Sequence, residues 1–193
     1  GVSRLGGVVL LASLGIVGRG RIGGAVAERA RGFRMPVLYF DFVRREALER
    51  EFGYRYVSLE TLLRESDFVT LHVPLLPETT GMIGAPQLVL MKPTAYLINA
   101  ARGPVVNERA LIDALQARRI AGAGLDVFEV EPTDMANPLL KMENVITLPH
   151  VGSATDATRQ AMVDLAVENV VAVLAGKPPL TPVNPDARSG RTA

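Results

Sequence analysis

The chain contains 193 residues with a net charge of +1 at pH 7, and 48% of its residues are hydrophobic. This composition is typical of a globular protein and excludes wholesale disorder. The near-neutral charge gives no support for binding to nucleic acid or to an anionic membrane. The sequence has no cysteine and only two histidines, so we expect no disulfide, no thiolate chemistry and no metal site.

An apolar run near the start of the chain extends from Val8 to Val17 and is interrupted by Ser13 and Gly15. It is shorter than the about 18 apolar residues that a bilayer span requires. Arg4 followed by this run faintly resembles a secretory signal. Because the run leads directly into a glycine-rich turn, we predict a buried strand instead, and we expect a cytoplasmic protein.

Short apolar runs alternate with amphipathic stretches along the rest of the chain. The predicted strands are Leu14–Val17, Pro36–Asp41, Tyr54–Val57, Phe68–Val73, Ala95–Ala101, Gly124–Phe128 and Val145–Leu148. The predicted helices are Ile22–Ala30, Arg44–Phe52, Leu59–Glu65, Glu108–Arg119 and Asp156–Ala175. This alternation indicates an α/β fold, a doubly wound parallel sheet of the Rossmann type that binds dinucleotides. We divide the chain into an N-terminal remnant (1–12), a dinucleotide-binding domain (13–155), a long C-terminal helix (156–175) and a tail or linker (176–193).

The first motif that carries chemistry is Gly18-Arg19-Gly20-Arg21-Ile22-Gly23, between a predicted strand and a predicted helix. Gly18 permits the tight turn, Gly20 lets the backbone approach a pyrophosphate, and Gly23 lets the helix pack close to the strand. The amides of Arg21 and Ile22, in the first turn of the helix, are then available to phosphate oxygens. An acid at the end of the second strand completes the dinucleotide fingerprint.

That acid is Asp41, 18 residues beyond Gly23. A carboxylate at this position can accept both ribose hydroxyls of NAD and would repel the 2′-phosphate of NADP. The competing interpretation is that Asp41 only caps the helix that starts near Arg44. Arg44 and Arg45 leave NADP possible, because an arginine just beyond this strand can hold a 2′-phosphate.

A second group of polar residues follows the later strands: Arg102, Asp126, Glu131 and His150. In an open parallel sheet the loops at the carboxyl ends of the strands line the ligand crevice, so these side chains can converge. An arginine can clamp a carboxylate, and a histidine oriented by a glutamate can exchange a proton near neutral pH. This combination beside a dinucleotide fold suggests hydride transfer to a 2-keto acid.

Each of these residues also has a purely structural interpretation. A single histidine is more often structural than catalytic, although the proline before His150 and the Gly-Ser-Ala-Thr after it favour a functional role. His72 lies inside a predicted strand and is expected to be packed. Glu129 and Glu131 compete for the same role, and Arg102 could simply be a surface residue in a turn with Gly103.

At these residues the sequence resembles the D-isomer-specific 2-hydroxyacid dehydrogenase family, from Leu14 to about Gly176. The most specific pieces are Leu71-His-Val-Pro-Leu75, Pro77-Glu-Thr79, Met91-Lys92, Ile98-Asn-Ala-Ala-Arg-Gly103, Gly124-Leu-Asp-Val-Phe128, Glu131-Pro132 and Pro149-His150. The sequence of residues 152–155, Gly-Ser-Ala-Thr, is most similar to that of the glyoxylate/hydroxypyruvate reductase branch.

The resemblance implies a role for each matching residue. Arg102 would bind the substrate carboxylate and carbonyl, Glu131 would support His150, and His150 would be the acid/base group. Asp126 would hold the nicotinamide carboxamide. Further residues match positions that contact the cofactor in that family: Arg21, Ile22, Asp41, Pro74, Thr79, Ala100, Ala101 and Gly152. The implied function is NAD(H)-dependent interconversion of 2-keto acids and D-2-hydroxy acids.

The sequence departs from the family in two respects. Arg19 stands where the family usually has an apolar residue, so it would either disturb the turn or lie near the pyrophosphate. Most of the family's substrate-binding half would precede Leu14, where only 13 residues are present. Two other interpretations therefore remain, a non-catalytic NAD-sensing protein similar to corepressors and an inactive NAD-binding fragment.

Loss of a substrate half would leave apolar surface uncovered on 156–175 and on Val8–Leu11. We therefore expect self-association, most simply as a homodimer. We also expect NAD binding to persist in this chain, with very weak or absent turnover, because its crevice would have only one wall.

Overall fold

The computed structural model describes residues 9–185, which form a parallel sheet with helices on its faces. The strands are β1 (Leu14–Val17), β2 (Val37–Phe40), β3 (Arg55–Tyr56), β4 (Phe68–Leu71), β5 (Tyr96–Asn99), β6 (Gly122–Leu125) and β7 (Val145–Thr147). The α-helices are α1 (Arg21–Ala30), α2 (Glu46–Phe52), α3 (Leu59–Glu65), α4 (Ala85–Leu88), α5 (Glu108–Gln116) and α6 (Asp156–Leu174). Short 3-10 turns occupy Arg31–Phe33, Gly103–Val105 and Pro138–Lys141.

The seven strands lie in the order β3-β2-β1-β4-β5-β6-β7, and every neighbouring pair is parallel. The chain therefore starts at the centre of the sheet, builds outward to β3, and then returns past β1 to build the other half. This reversal places the carboxyl ends of β1 and β4 at a topological switch point, where such sheets bind their ligands. The predicted doubly wound α/β fold is confirmed.

Two apolar clusters fix the layers. On one face of the sheet, Ile16 and Tyr39 pack with Ala27 of α1, and all three side chains are fully buried. The opposite face carries the larger cluster, in which α3, α4 and α5 supply Leu62, Leu63, Leu88, Leu111 and Leu115 against Val69, Leu71 and Leu97. Alternation of side chains along each strand sends successive residues to different layers, as a sheet covered on both faces requires.

Local sequence signals explain several element boundaries. Ser58 caps α3 by accepting a hydrogen bond from the Thr61 amide, as expected from its position. Gly53 ends α2 with a φ of +69°, a conformation that glycine adopts without steric cost. The predicted helix at Arg44 begins two residues later, at Glu46, and the predicted strand at Gly124 begins at Gly122.

The chain divides into two compact units, Gly1–His150 and Val151–Ala193. In the second unit, α6 has Thr155 as its N-cap, and none of its residues is buried. The large apolar side chains of this helix are exposed, from Leu165 at 41% to Leu174 at 82%. Between residues 9 and 185, no helix combines the length and the hydropathy that a membrane span needs.

Candidate cofactor and catalytic site

The glycine-rich turn after β1 has the geometry that the sequence predicts. Gly18 adopts a φ of +89°, and a Cβ there would lie 2.7 Å from the Val73 amide nitrogen. A Cβ on Gly23 would collide with the carbonyl oxygen of Gly18, so only glycine lets α1 start this close to the turn. A Cβ on Gly20, by contrast, would meet no atom within 4 Å. The open space above Gly20 is therefore where a pyrophosphate could approach the backbone.

The first turn of α1 faces this space. Gly20 is the N-cap, and the helix runs for 10 residues from Arg21. The first amides of a helix have no partner within it, and their dipoles favour an anion. Arg21 and Ile22 are both exposed. The glycine-rich turn leaves space for a phosphate, and the first turn of α1 offers amides to it. Together they could bind the pyrophosphate of a dinucleotide.

Asp41 lies directly after β2, and its carboxylate does not cap α2. Oδ2 accepts the Arg19 amide at 2.6 Å, and Oδ1 accepts the Val43 amide at 3.3 Å. The N-cap of α2 is Arg45 instead. The capping interpretation of Asp41 is therefore wrong. The backbone bonds hold the carboxylate beside the glycine-rich turn, where the ribose hydroxyls of a dinucleotide could reach its remaining lone pairs.

Arg19 leaves the turn intact by turning its side chain into the protein. The residue is only 7% exposed. Its guanidinium carbon lies 5.0 Å from the Tyr54 ring centroid and 5.8 Å from that of Tyr39. Its Nε has no hydrogen-bond partner within residues 9–185. Sequence reasoning missed this packing, although Tyr39 in β2 and Tyr54 just before β3 were a signal that aromatic faces were available to a cation.

A cleft of about 620 Å³ in the first unit is lined by Asp126, Glu131 and His150, three of the four residues in the second predicted group, and by Phe128. The fourth residue of that group, Arg102, does not line the cleft. Asp126 is buried and follows β6, and its carbonyl oxygen accepts the His150 amide at 3.0 Å. That bond ties the loop after β7 to the loop after β6. His150 itself adopts a φ of +54°, which is uncommon for a residue with a side chain.

The closest polar pair in this cleft is His150 with Glu131. Nδ1 of His150 lies 2.7 Å from Oε2 of Glu131, and the Phe128 amide donates to Oε1 at 3.0 Å. The hydrogen bond from His150, together with the bond from Phe128 and the positive charge of Arg102, lowers the pKa of Glu131. The carboxylate is therefore charged at neutral pH, and its hydrogen bond with Nδ1 fixes the orientation of the imidazole.

Glu129 has a different role from its neighbour. Its Oε1 accepts the Glu108 amide at 2.9 Å, and Glu108 returns the bond by accepting the Glu129 amide at 3.0 Å. This reciprocal pair joins the loop after β6 to the start of α5. Of the two competing glutamates, the structure places Glu131 against His150.

Arg102 follows β5 and is exposed. One Nη donates to the Ala101 carbonyl at 2.6 Å. A Cβ on Gly103 would collide with the Phe128 carbonyl, so glycine allows the Arg102 turn to press against the loop that carries Glu131. The positive charge of Arg102 contributes to the lowered pKa of Glu131.

The remaining predicted cofactor-contact residues are Pro74, Thr79, Ala100, Ala101 and Gly152. Thr79 is fully buried and donates to the Pro74 carbonyl at 2.6 Å, so its hydroxyl shapes the loop after β4. Ala100 is exposed and Ala101 is buried. Gly152 belongs to the second unit, in the turn that precedes α6.

The second histidine is held near the glycine-rich turn. His72 follows β4, which ends two residues earlier than predicted, and its Nε2 lies 3.0 Å from the Thr70 hydroxyl. Burial lowers the pKa of His72, so the imidazole is neutral at physiological pH. Across residues 9–185, no cluster of three histidine or acidic residues could hold a metal ion.

Known proteins share both the sequence and the fold. Residues 9–152 match the family described as "D-isomer specific 2-hydroxyacid dehydrogenase, NAD binding domain". A glyoxylate reductase of Korarchaeum cryptofilum is 56% identical over 172 residues, which cover 89% of this chain and 52% of that protein. A glyoxylate/hydroxypyruvate reductase B of Shigella boydii is 53% identical, over 90% of this chain and 54% of its own length.

Solved structures give the same result. The TT0316 protein of Thermus thermophilus superposes with a TM-score of 0.86 at 44% identity, over 91% of this chain and 55% of its own. An NADPH-dependent glyoxylate/hydroxypyruvate reductase of Sinorhizobium meliloti, solved with NADP and malonate, gives a TM-score of 0.83 at 40% identity, over 90% and 53%. The chain thus spans about half the length of the curated relatives it matches.

Proposed function

Since the chain belongs to the D-isomer-specific 2-hydroxyacid dehydrogenase family, as its NAD-binding domain, we propose that it serves a reductase of small 2-keto acids. Glyoxylate and hydroxypyruvate are the proposed substrates. The single observation that carries the proposal is the pairing of His150 with Glu131 at 2.7 Å in a cleft shared with Asp126. An imidazole fixed by a carboxylate is suited to exchanging a proton with the substrate oxygen.

The residues after β1 and β2 fit the cofactor. Gly20 leaves open space above the turn, α1 directs its first amides there, and Asp41 holds a carboxylate beside it. We propose that these groups bind the pyrophosphate and the adenosine ribose of NAD, with Asp41 disfavouring NADP. Asp126 is proposed to contact the nicotinamide end. When bound, NADH supplies the hydride that reduces the keto carbon.

The protein residues then handle charge and protons. We assign substrate binding to Arg102, whose guanidinium can form two parallel hydrogen bonds to a carboxylate. His150 protonates the oxygen of the reduced carbonyl, and Glu131 orients the imidazole for that step. In the opposite direction, His150 accepts the hydroxyl proton of the D-2-hydroxy acid.

A sensitive assay tests this function. The chain is incubated at high concentration with glyoxylate and NADH carrying deuterium at C4 of the nicotinamide, and the glycolate formed is examined by mass spectrometry. We expect slow formation of deuterated glycolate that disappears in His150→Ala. Saturable NADH binding without deuterated glycolate above the protein-free rate would favour an NAD-binding role for this chain alone, and glycolate formed equally fast by His150→Ala would contradict the reductase function.

We also propose that the protein is a cytoplasmic homodimer. Support for the dimer comes from α6, where Met162, Val163, Val167, Val170 and Val173 are all more than half exposed. Apolar surface of this extent usually acquires a partner, and a two-fold pair is the commonest arrangement. Light scattering on the purified chain should give twice the mass of one chain, and a monomer at all concentrations would contradict the dimer.

A further inference from the structure

Arg44 follows Asp41 by three residues, but its charge is already paired. Its Nε donates to Oε1 of Glu49 and one Nη donates to Oε2, both at 2.9 Å. Two parallel charge-assisted bonds of this kind fix the orientation of a guanidinium as well as its position. Arg44, which could otherwise hold a 2′-phosphate, is therefore bound to Glu49.

The Glu49 carboxylate is also held by a hydrogen bond from Tyr39. The hydroxyl of the buried Tyr39 donates to its Oε1 at 2.9 Å and accepts the Arg45 amide at 3.0 Å. The Glu49 side chain is 17% exposed, whereas that of Arg44 is 53% exposed. The hydrogen bonds from Arg44 lower the pKa of Glu49, although burial opposes them. The carboxylate thus stays charged and keeps a fixed place at neutral pH.

Tyr56 links this pair to the end of β2. The guanidinium carbon of Arg44 lies 5.6 Å from the centroid of the Tyr56 ring, and the Tyr56 hydroxyl donates to the Asp41 carbonyl at 3.2 Å. Arg44 therefore lies near the predicted ribose subsite, stacked on an aromatic ring and turned toward Glu49.

We propose that Glu49 determines the choice between NAD and NADP by withholding Arg44 from the 2′-phosphate. The inference rests on the proposed function, because it requires the adenosine ribose to bind beside Asp41. A 2′-phosphate carries about two negative charges. It would meet the carboxylate of Asp41 with Arg44 already neutralised, whereas the hydroxyls of NAD bring no charge. Glu49 does not contact the cofactor and acts as a positioning residue through Arg44.

The test is Glu49→Gln, with dissociation constants for NADH and NADPH measured by nicotinamide fluorescence at low and high salt. We expect the ratio of the NADPH constant to the NADH constant to fall about tenfold at low salt, because an unpaired arginine can bind the phosphate. This fall in the ratio should be smaller at high salt, because salt screens the attraction between Arg44 and the phosphate. A purely structural defect would weaken both cofactors and leave the ratio unchanged.

Glu46→Gln is the matched control. Glu46 lies on the same helix and pairs with Arg50 at 3.5 Å, with its side chain 61% exposed. The substitution removes the same charge without releasing Arg44, so the ratio should stay within about twofold of the original, the effect expected of an exposed pair.

Arg44→Ala tests the proposal without altering Glu49. In the otherwise unchanged chain it should leave the ratio within about twofold, because the arginine is already withheld. Combined with Glu49→Gln it should cancel the fall in the ratio. The inference would be overturned if the ratio of the NADPH constant to the NADH constant rose about tenfold in Arg44→Ala alone. It would also be overturned if that ratio did not change in Glu49→Gln. Absence of NADH binding by the unchanged chain would overturn the proposed function as well.

Discussion

The carboxylate of Glu131 bridges His150 and the backbone of Phe128, with Oε2 at 2.7 Å from Nδ1 and Oε1 accepting the Phe128 amide at 3.0 Å. One carboxyl group therefore orients the imidazole and anchors the loop after β6. Because Nδ1 faces Glu131, we assign proton exchange with the substrate to Nε2 of His150.

Glu131→Gln should move the pH dependence of reduction. The lowered pKa of Glu131 shows that its charge is stabilised beside His150. Glutamine is neutral at every pH, so reduction should be slower and should lose the decline in acid that protonation of Glu131 causes in the unchanged chain. The measurement is the rate of NADH oxidation with glyoxylate across the pH range. Glu129→Gln is the control, since Glu129 binds the Glu108 amide instead. An unchanged profile in Glu131→Gln would leave this glutamate a structural role only.

His150→Ala should lower turnover by about 100-fold or more, the usual effect of losing a general acid. NADH binding should be little changed, because the imidazole acts on the substrate oxygen. Stopped assays with deuterated NADH give the turnover, and fluorescence titration gives the binding. His72→Asn serves as the control, since His72 contacts Thr70 rather than the cleft. Turnover that survives in His150→Ala would mean that another group donates the proton.

The sequence predicts the sheet well because buried parallel strands are apolar on both faces. Leu14–Val17 and Phe68–Leu71 are largely apolar, and Gly18 directly follows the first of them. The boundaries are weaker where small residues dominate. The glycine-rich strand Gly122–Leu125 pairs with its neighbours through backbone bonds that leave no side-chain signal, so its start was misplaced.

The candidate site was predictable in its residue types but only partly in its internal connections. Position after a strand indicated Glu129 and Glu131 equally, the family resemblance favoured Glu131, and the loop geometry places Glu131 against His150. Arg19 could not be located from spacing, because its burial depends on Tyr39 and Tyr54, which lie on other segments. Pairing of Arg44 with Glu49 likewise depends on where α2 begins.

Asp41→Ser should narrow or reverse the preference for NADH over NADPH. The serine keeps a hydroxyl that can bond to the neighbouring amide but removes the charge that repels a 2′-phosphate. Fluorescence titration with both cofactors measures the change, and the Glu46→Gln variant controls for loss of one negative charge elsewhere. If the unchanged chain already binds NADPH more tightly than NADH, the role assigned to Asp41 is wrong.

Asp67 should stabilise the fold in a pH-dependent way. Its Oδ2 accepts the Ser13 amide and hydroxyl at 2.8 and 2.7 Å, and Lys92 lies 2.7 Å from Oδ1. Burial would raise the pKa of Asp67, but the bonds from Lys92 and Ser13 outweigh it and lower the pKa below its ordinary 3.8. The folded state thus favours the charged form, so this stabilisation is complete above that value and is lost as pH falls further.

Asp67→Ala should therefore lower the free energy of unfolding by about 1–2 kcal/mol at neutral pH, allowing for partial exposure of the group. In urea unfolding the difference from the unchanged chain should shrink at a pH below about 3.8. Glu65→Ala removes a more exposed pair with Arg55 and should cost less than about 1 kcal/mol. A difference that persists undiminished in acid would show that Asp67 acts through packing instead.

Titration of Gly20→Val with NADH tests the cofactor site most directly. Gly20 has an extended backbone with a φ of −71°, which is open to residues with a side chain, and a Cβ there would have no protein atom within 4 Å. The fold should therefore persist, while the added methyl groups would fill the place assigned to the pyrophosphate. Gly24→Ala, one turn further along α1 and equally open, is the matched control.

We predict saturable NADH binding by the unchanged chain and by Gly24→Ala, and binding weakened by at least about tenfold in Gly20→Val at unchanged thermal stability. Equal NADH affinity in Gly20→Val and the unchanged chain would contradict the placement of the cofactor at the carboxyl end of β1.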